Sequence, residues 1–396
     1  MAVLLEFTPG AHAREVTSGR SFAPGKKPRT VQPFRRRMPM KQFLILAEYI
    51  DVHADYVSWA LKAAGYEATL VNSSHDNCAA DTTLYLEDAS DGFTSTDWDN
   101  AEAAWCRRLP QRSPLDKHLD ENQKFSVGEE RRFTKWLIEM QHASCPLRWI
   151  NTPAAVLLPE NKFIQLKTAR SLGISVPRTL ITAQPERFRA FLRNEGRVVA
   201  KPLSGYSWEH ESDVSLTFAT ILDGARAAEL SDEDIAHCVT MYQQCIDKVA
   251  DIRIVVMGAD MFAYKITQEG EQHFDVRLGF YQENHLKYQG IQIPARLKRR
   301  ISDLMDSLRI NFASADFVLQ ADGEWVFLDL NPNGQWLFVE ESFPESRAGQ
   351  KFCSFFTKGR VDPAAENLFP SFWDYKKSDI GRSFEEAFRE RPEAQA

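Results

Sequence analysis

Residues 312–340, FASADFVLQADGEWVFLDLNPNGQWLFVE, read as two apolar strands folded back on one another at Asp322-Gly323. An Asp-Gly step between apolar runs is a strong short-range hairpin signal, so the stretch predicts an antiparallel pair. Asp316 falls inside the first strand. Asp329 and Asn331 fall two residues apart at the end of the second, and the period of two puts them on one face. Hard oxygen donors from a few carboxylates, with room for water and phosphate oxygens, suit a Mg²⁺ shared between protein and nucleotide. Asn-Pro-Asn-Gly also reads as a plain strand end, because all four are turn residues. Asp316 and Asp329 argue for more, since a carboxylate inside an apolar run needs a cation or hydrogen bonds to offset its burial.

Working outward, Ala295–Ile310 reads as a helix with Leu297, Ile301, Leu304, Met305 and Leu308 on one packing face. Before it, DIRIVVMGADMFAYKIT (251–267) reads as a hairpin turning at Gly258-Ala259-Asp260, with Arg253 on the face of Asp251 and Val255. Arg277 follows as a further basic candidate, and its local sequence fits a solvated surface at least as well. Upstream, TMYQQCI (240–246), Val214–Leu222, Arg197–Leu203 and VPRTLIT (176–182) read as strands. Pro185–Asn194 and Asn161–Leu172 read as helices, the first opened by proline and the second stopped by Gly173. Lys201 ends an apolar strand beside a loop of small residues, a placement that suits a phosphate.

Nearer the start, Gln42–Ile50, Glu67–Asn72 and Thr83–Glu87 read as strands around a helix at His53–Gly65, which implies a small open α/β unit. Val127–Gln141 reads as an amphipathic helix carrying Phe133, Trp136, Leu137 and Met140. Arg107 and Arg108 form an adjacent pair of the kind that usually sits on a solvated surface. Residues 1–40 contain eight Lys/Arg against two Glu, several prolines and no sustained periodicity, so they are expected to be disordered, with folding starting near Lys41. The rest of the chain carries 40 Lys/Arg against 53 Asp/Glu, an acidic balance that argues against non-specific nucleic-acid binding.

The whole chain has 396 residues, 43% of them apolar and 26% charged, enough for two or three ordinary globular domains. No apolar run approaches the length needed to span a bilayer. Cys78, Cys106, Cys145, Cys238, Cys245 and Cys353 show neither CxxC pairing nor zinc-type spacing, which favours reduced thiols in a cytoplasmic protein.

Taken in order, Trp105-Cys106-Arg107-Arg108, Asn161-Lys162, QLKTARSLGI (165–174), PRTLIT (177–182), VVAKPL (198–203), YQQCI (242–246), DIR (251–253) and LDLNPNGQW (328–336) resemble the ATP-grasp ligases. Within them the chain looks most like the graspetide, or microviridin-type, peptide ligases, over roughly residues 41–340. No GxxxxGKS/T and no strand-linked GxGxxG occurs, so neither a Walker nor a Rossmann site competes. DVR (275–277) stands where these ligases often read DWR, and Gln244 where an acidic residue is common.

The resemblance implies an α/β ATP-grasp fold with a small N-terminal pre-ATP-grasp domain at 41–150, a central subdomain at 151–240, a C-terminal subdomain at 241–345, and a tail at 346–396 of unassigned role. It implies that Lys162 and Lys201 contact nucleotide phosphates and that Gln243, Gln244, Cys245 and Ile246 form the adenine hinge. It places Arg253 and Arg277 at the transferring phosphate and carboxylate, and Asp316, Asp329 and Asn331 on Mg²⁺. The implied activity uses ATP and Mg²⁺ to activate Asp or Glu side chains of a ribosomal precursor peptide as acyl phosphates, which Lys, Ser or Thr side chains then capture as amide or ester cross-links. A stand-alone carboxylate–amine ligase acting on a free amino acid or small peptide is the alternative; a catalytically idle nucleotide- or peptide-binding scaffold ranks last. The expected partner is the precursor peptide rather than nucleic acid or membrane, and a homodimer is one assembly compatible with it. Tyr264, Lys265, Arg277, Tyr281, His285, Lys287 and Tyr288 supply the aromatic and basic groups of a peptide-docking surface, with Lys287 and Tyr288 its test residues; covering a sheet is their other reading.

Overall fold

The computed structural model describes residues 41–47, 51–72, 83–87, 90–94, 101–108, 120–144, 147–203, 207–209, 214–216, 219–268, 274 and 286–389. The first sheet is parallel. It contains β1 (Gln42–Ala47) and β2 (Glu67–Asn72), while β3 (Thr83–Glu87) and β4 (Ser90–Thr94) form a separate antiparallel pair; β5 (Ala101–Cys106) and β6 (Arg148–Ile150) complete the order β2-β1-β5-β6. β1 is an unbroken apolar run because both its faces are covered, as a parallel sheet requires. Phe43 and Ile45 join a cluster with the helix Val52–Ala63, and Leu44 and Leu46 pack on the other side with Val71, Ala104 and Trp149. The amphipathic helix expected at 127–141 runs longer, Glu121–Ser144, and leaves Phe125 and Trp136 largely exposed.

The second sheet is antiparallel: β7 (Thr179–Thr182), β8 (Val198–Lys201), a separate pair of β9 (Ser207–Glu209) with β10 (Val214–Leu216), then β11 (Thr220–Leu222) and β12 (Thr240–Gln244), in the order β11-β8-β12-β7. The single strand expected at 214–222 is therefore split between two sheets. The helix Pro185–Glu195 lays Phe188 and Leu192 against Val198 and Tyr242.

The third sheet holds the hairpins read from the sequence: β13 (Ala250–Met257), β14 (Asp260–Gln268), β15 (Leu286–Ile291), β16 (Phe312–Leu319) and β17 (Trp325–Asn331), antiparallel in the order β15-β14-β13-β16-β17. One face packs on the helices Lys162–Ser171 and Ala295–Leu308 through Ile252, Ile254, Ala313, Leu166 and Leu304. The opposite face buries Val255, Met257, Tyr264 and Phe312 in the cluster that also contains the first sheet. β17 is an edge strand, and the chain covers that edge: Phe327 N donates to Ser175 O at 2.8 Å, and Gln165 hydrogen-bonds both Leu330 N and Leu330 O.

Residues 346–389, to which the sequence reading assigned no role, contribute to the core. The helix Ala348–Lys358 buries Phe352 and Phe356 in the same cluster as Trp105 and Trp336, and the helix Phe372–Lys377 adds Phe372 and Tyr375. Buried Glu340 ties these helices to the end of the third sheet by accepting from Gly349 N at 2.6 Å and Phe372 N at 2.9 Å. Burial pushes its carboxyl up, and these two N–H groups pull against that shift.

Candidate active site

Antiparallel pairing sets Arg253, Asp316 and Asp329 side by side. Arg253 lies opposite Asp316 across β13–β16, and Asp316 lies opposite Asp329 across β16–β17, so all three side chains share one face. Ser314 opposes Asn331, two positions along on that same face. The carboxylates inside these apolar strands are offset by cations. Arg253 Nε is 2.9 Å from Asp316 Oδ1, a close ion pair whose N–H lies off the line of a hydrogen bond. Lys162 Nζ, from the helix along the β17 edge, is 3.4 Å from Asp329 Oδ2.

Arg253 is anchored at three points. Besides Asp316, its guanidinium lies 5.2 Å from the centre of the Phe338 ring and donates to Gln335 O at 3.4 Å. Asn331 is also oriented: its Oδ1 accepts from Asn333 N at 2.8 Å, which leaves a second lone pair on that oxygen. Among the described residues no group of three or more His, Cys, Asp and Glu gathers as a metal site. Beside the two carboxylates, the further side-chain oxygen at this end of the strand is Asn331 Oδ1. Two facing carboxylates and one oriented amide oxygen form a hard donor set that fits Mg²⁺.

Lys162 also borders a cleft of about 660 Å³ whose other walls include Phe163, Thr179, Ile181, Leu203 and Met241. Met241 pairs directly with Lys201, and Gln243 with Thr179, so Lys201 and Gln243 lie on the cleft-facing side of the second sheet. Gln243 is 2% exposed; its Nε2 donates to Thr179 Oγ1 at 3.1 Å, while its Oε1 is buried without a hydrogen-bond partner among the described residues. At the strand end, Gln244 N donates to Arg178 O at 2.8 Å and Cys245 N to Arg197 O at 3.3 Å, which fixes the backbone leading into half-buried Ile246.

Lys287 and Tyr288 lie on edge strand β15 beside a smaller cleft of about 320 Å³ that also takes in Lys265, Thr267 and Ser342. Lys287 faces outward, whereas Tyr288 is 8% exposed, packs against Phe338, and has its hydroxyl buried without a hydrogen-bond partner among the described residues. Arg277, Tyr281 and His285 lie outside the described residues.

The expectation for Arg107 needs correction. Instead of lying on a solvated surface it is 1% exposed, pairs through Nε with Asp51 Oδ2 at 3.0 Å, and donates through Nη1 to Asn333 O. Asp51, His53 and Asn151 were not singled out in the sequence, and Gln165 entered only as the first residue of QLKTARSLGI. Each holds backbone of the segment 330–337 or a residue that does so. The one local signal was at Asp51, which caps the helix after it through His53 N and Ala54 N. His53 Nε2 accepts from Trp336 N at 3.0 Å and Leu337 N at 3.2 Å, which places its proton on Nδ1, facing Asp51. Burial, aided by neighbouring Arg107, lowers its pKa to about 3, so it stays neutral.

No protein-family model and no curated protein matches the chain. Solved structures do. The macrocyclase MdnC bound with precursor peptide MdnA, from Microcystis aeruginosa, superposes with a TM-score of 0.65 at 22% identity, covering 80% of this chain and 99% of that one. A Chryseobacterium gregarium RiPP-associated ATP-grasp ligase, in complex with ADP and a leader and core peptide, gives 0.67 at 19% identity over 82% and 99%. The ATP-grasp ligase PsnB complexed with minimal precursor, Mg and ADP gives 0.60 at 20% identity over 76% and 91%. The fold is an α/β ATP-grasp fold.

Proposed function

We propose that this chain is an ADP-forming ATP-grasp ligase that cross-links a ribosomal precursor peptide through its Asp or Glu side chains. The observation that carries the reading is the row Arg253–Asp316–Asp329–Lys162, in which two adjacent carboxylates are flanked by a cation on each side, across three neighbouring strands and the adjoining helix, beside a nucleotide-sized cleft. Precursor peptides, ADP and Mg in structures of this fold support it.

In this reading Lys162 and Lys201 bind the ATP phosphates, and Gln243 to Ile246 receive the adenine. Asp316, Asp329 and Asn331 hold Mg²⁺, which compensates charge on the phosphates when bound. A substrate carboxylate oxygen attacks the γ-phosphorus, the bond to ADP breaks, and an acyl phosphate forms. Arg253, held by Phe338 and Gln335 O, is placed to bind that mixed anhydride, and Arg277 is proposed for the same group. A hydroxyl or amine of the same peptide then attacks the acyl carbon and loses its proton, and phosphate departs. The net change is one ester or amide and the loss of one water. Lys287 and its neighbour Lys265 offer positive charge to an acidic peptide, with Tyr288 in the floor of that cleft; docking there raises the local concentration of the reacting segment.

The test is incubation of the protein with ATP, Mg²⁺ and a genomically adjacent precursor peptide, followed by mass spectrometry. ATP-dependent loss of one water mass per cross-link supports the reading, and unchanged peptide mass with turnover of a free amino acid would transfer it to the stand-alone ligase. A Lys287→Glu, Tyr288→Ala double variant should bind the peptide more weakly and ATP equally well; equal peptide affinity rejects that docking cleft.

A further inference from the structure

The amide of Asn331 is aimed by a relay that begins in the N-terminal sheet. Asn331 Oδ1 accepts from Asn333 N at 2.8 Å, and Asn331 O accepts from Gly334 N at 3.0 Å, so the direction of this side chain follows the position of residue 333. Residue 333 is gripped from both sides. Arg107 Nη1 donates to Asn333 O and reaches Gly334 O at 3.5 Å. In the amide orientation that satisfies both ends of the side chain, Asn333 Nδ2 donates back to Cys106 O at 3.1 Å and Arg107 O at 2.9 Å. Arg107 and Asn333 thus hold each other reciprocally across 226 positions of sequence.

The guanidinium itself is fixed by Asp51 at 3.0 Å and by the Trp105 ring, 5.9 Å from its centroid. Asp51 cannot swing away, since its other oxygen caps the helix Val52–Ala63. A buried ion pair is a weak source of stability compared with apolar residues of the same volume, so stability alone does not account for this one. Its donors point at two consecutive carbonyls of the turn that carries a site residue, and that is the geometry of an outer-shell support.

From this geometry we infer that Arg107, aligned by Asp51, is a positioning residue for Asn331, so that the N-terminal sheet sets the third oxygen of the cation site. The inference rests on the proposed reading that Asp316, Asp329 and Asn331 hold Mg²⁺. Arg107 touches no ion and no substrate in this account; it acts through Asn333.

The experiment is an electron-paramagnetic-resonance titration of Mn²⁺ into the full chain with a non-hydrolysable ATP analogue. Arg107→Lys keeps the charge but loses the fork, and Asn333→Ala removes the reciprocal amide; each should weaken Mn²⁺ binding about tenfold, the scale of an outer-shell loss. In turnover, excess Mg²⁺ should recover kcat in both. Arg148→Lys is the control, because Arg148 donates to Phe355 O and Phe356 O away from the turn. It should keep wild-type Mn²⁺ affinity even where Tm falls. Unchanged affinity in Asn333→Ala and in folded Arg107→Lys would overturn the inference, as would equal weakening by Arg148→Lys; if Arg107→Lys does not fold, Asn333→Ala decides alone. No Mn²⁺ bound by the wild type would overturn the cation site and this inference with it.

Discussion

The two ends of the β16–β17 hairpin are built by opposite means. At the tip, every bond is local: Gln320 N donates to Glu324 O, Gly323 N to Gln320 O, and Glu324 N to Asp322 Oδ1, all within five residues, with Gly323 at φ +89°. At the other end, the backbone of 330–337 is held by Gln165, Asn151, Arg107 and His53, from 165 to 284 positions away. The tip needs only a turn. The site end needs a defined position, and local chemistry alone cannot supply one for a strand that stops at the surface.

The sharpest way to break this contrast is a methyl group at each end. A Cβ on Gly334 would stand 2.2 Å from Ser314 Cβ and 3.0 Å from Ser314 N, so Gly334→Ala should cost about 3 kcal/mol and abolish ligation. On Gly323 a Cβ meets nothing within 4 Å. Denaturant unfolding of the two variants in parallel, with turnover beside it, checks the pair. Similar losses at both ends would erase the distinction.

Next in size is the chemistry at the site end. Asp329→Asn should keep the fold and lower ATP turnover on the order of a hundredfold, because a neutral amide replaces one of two carboxylates proposed to hold Mg²⁺. Steady-state ATPase and far-UV circular dichroism report the two halves of this prediction, and near-normal turnover at ordinary Mg²⁺ would remove Asp329 from the site.

A smaller effect comes from His53. Its native pKa, lowered to about 3, lies below the ordinary value near 6.5, so between those limits the unfolded chain binds a proton that the native chain refuses. Stability from the neutral imidazole is full above about pH 6.5 and falls as pH drops toward 3, by about 1.4 kcal/mol per unit inside that window. Denaturant melts of wild type and His53→Gln at pH 7, 6 and 5 should converge as pH falls. Parallel curves would contradict a neutral His53 holding Trp336 and Leu337.

Smallest is Gly323→Ala itself, which should cost only about 1 kcal/mol, the price of a left-handed residue with a side chain, with ligation unaffected.

The same contrast explains what could be read in the sequence. Asp322-Gly323, and the period-two placement of Asp316, Asp329 and Asn331, depend on neighbours a few residues away, and the hairpin stands where they put it. Asp316 and Asp329 also advertised themselves as carboxylates in apolar strands, and Arg253 and Lys162 answer them. Arg107 belonged to a motif of the family likeness, but nothing beside it in the sequence marked it as buried. Its partners are Asp51 and two carbonyls more than two hundred positions downstream, so a paired arginine looked like ordinary surface. His53 is hidden for the same reason. The helices after residue 346 carried a visible signal, the apolar spacing of Phe352, Phe355 and Phe356, but the cluster they fill exists only once the first sheet is in place. Arg277, which the family likeness singled out, lies outside the described residues and keeps only its proposed role.

Oxygen transfer tests the central claim most directly. A precursor peptide with its Asp and Glu side-chain carboxylates labelled with ¹⁸O should, on cross-linking with ATP, pass one labelled oxygen per new bond to inorganic phosphate, because the carboxylate oxygen bonded to phosphorus in the first step leaves the acyl carbon with the phosphate when the nucleophile captures the acyl phosphate. Label found in phosphate in proportion to cross-links is the predicted result. Cross-linked peptide with unlabelled phosphate, or phosphate released with no change in the peptide, would contradict the ligase mechanism.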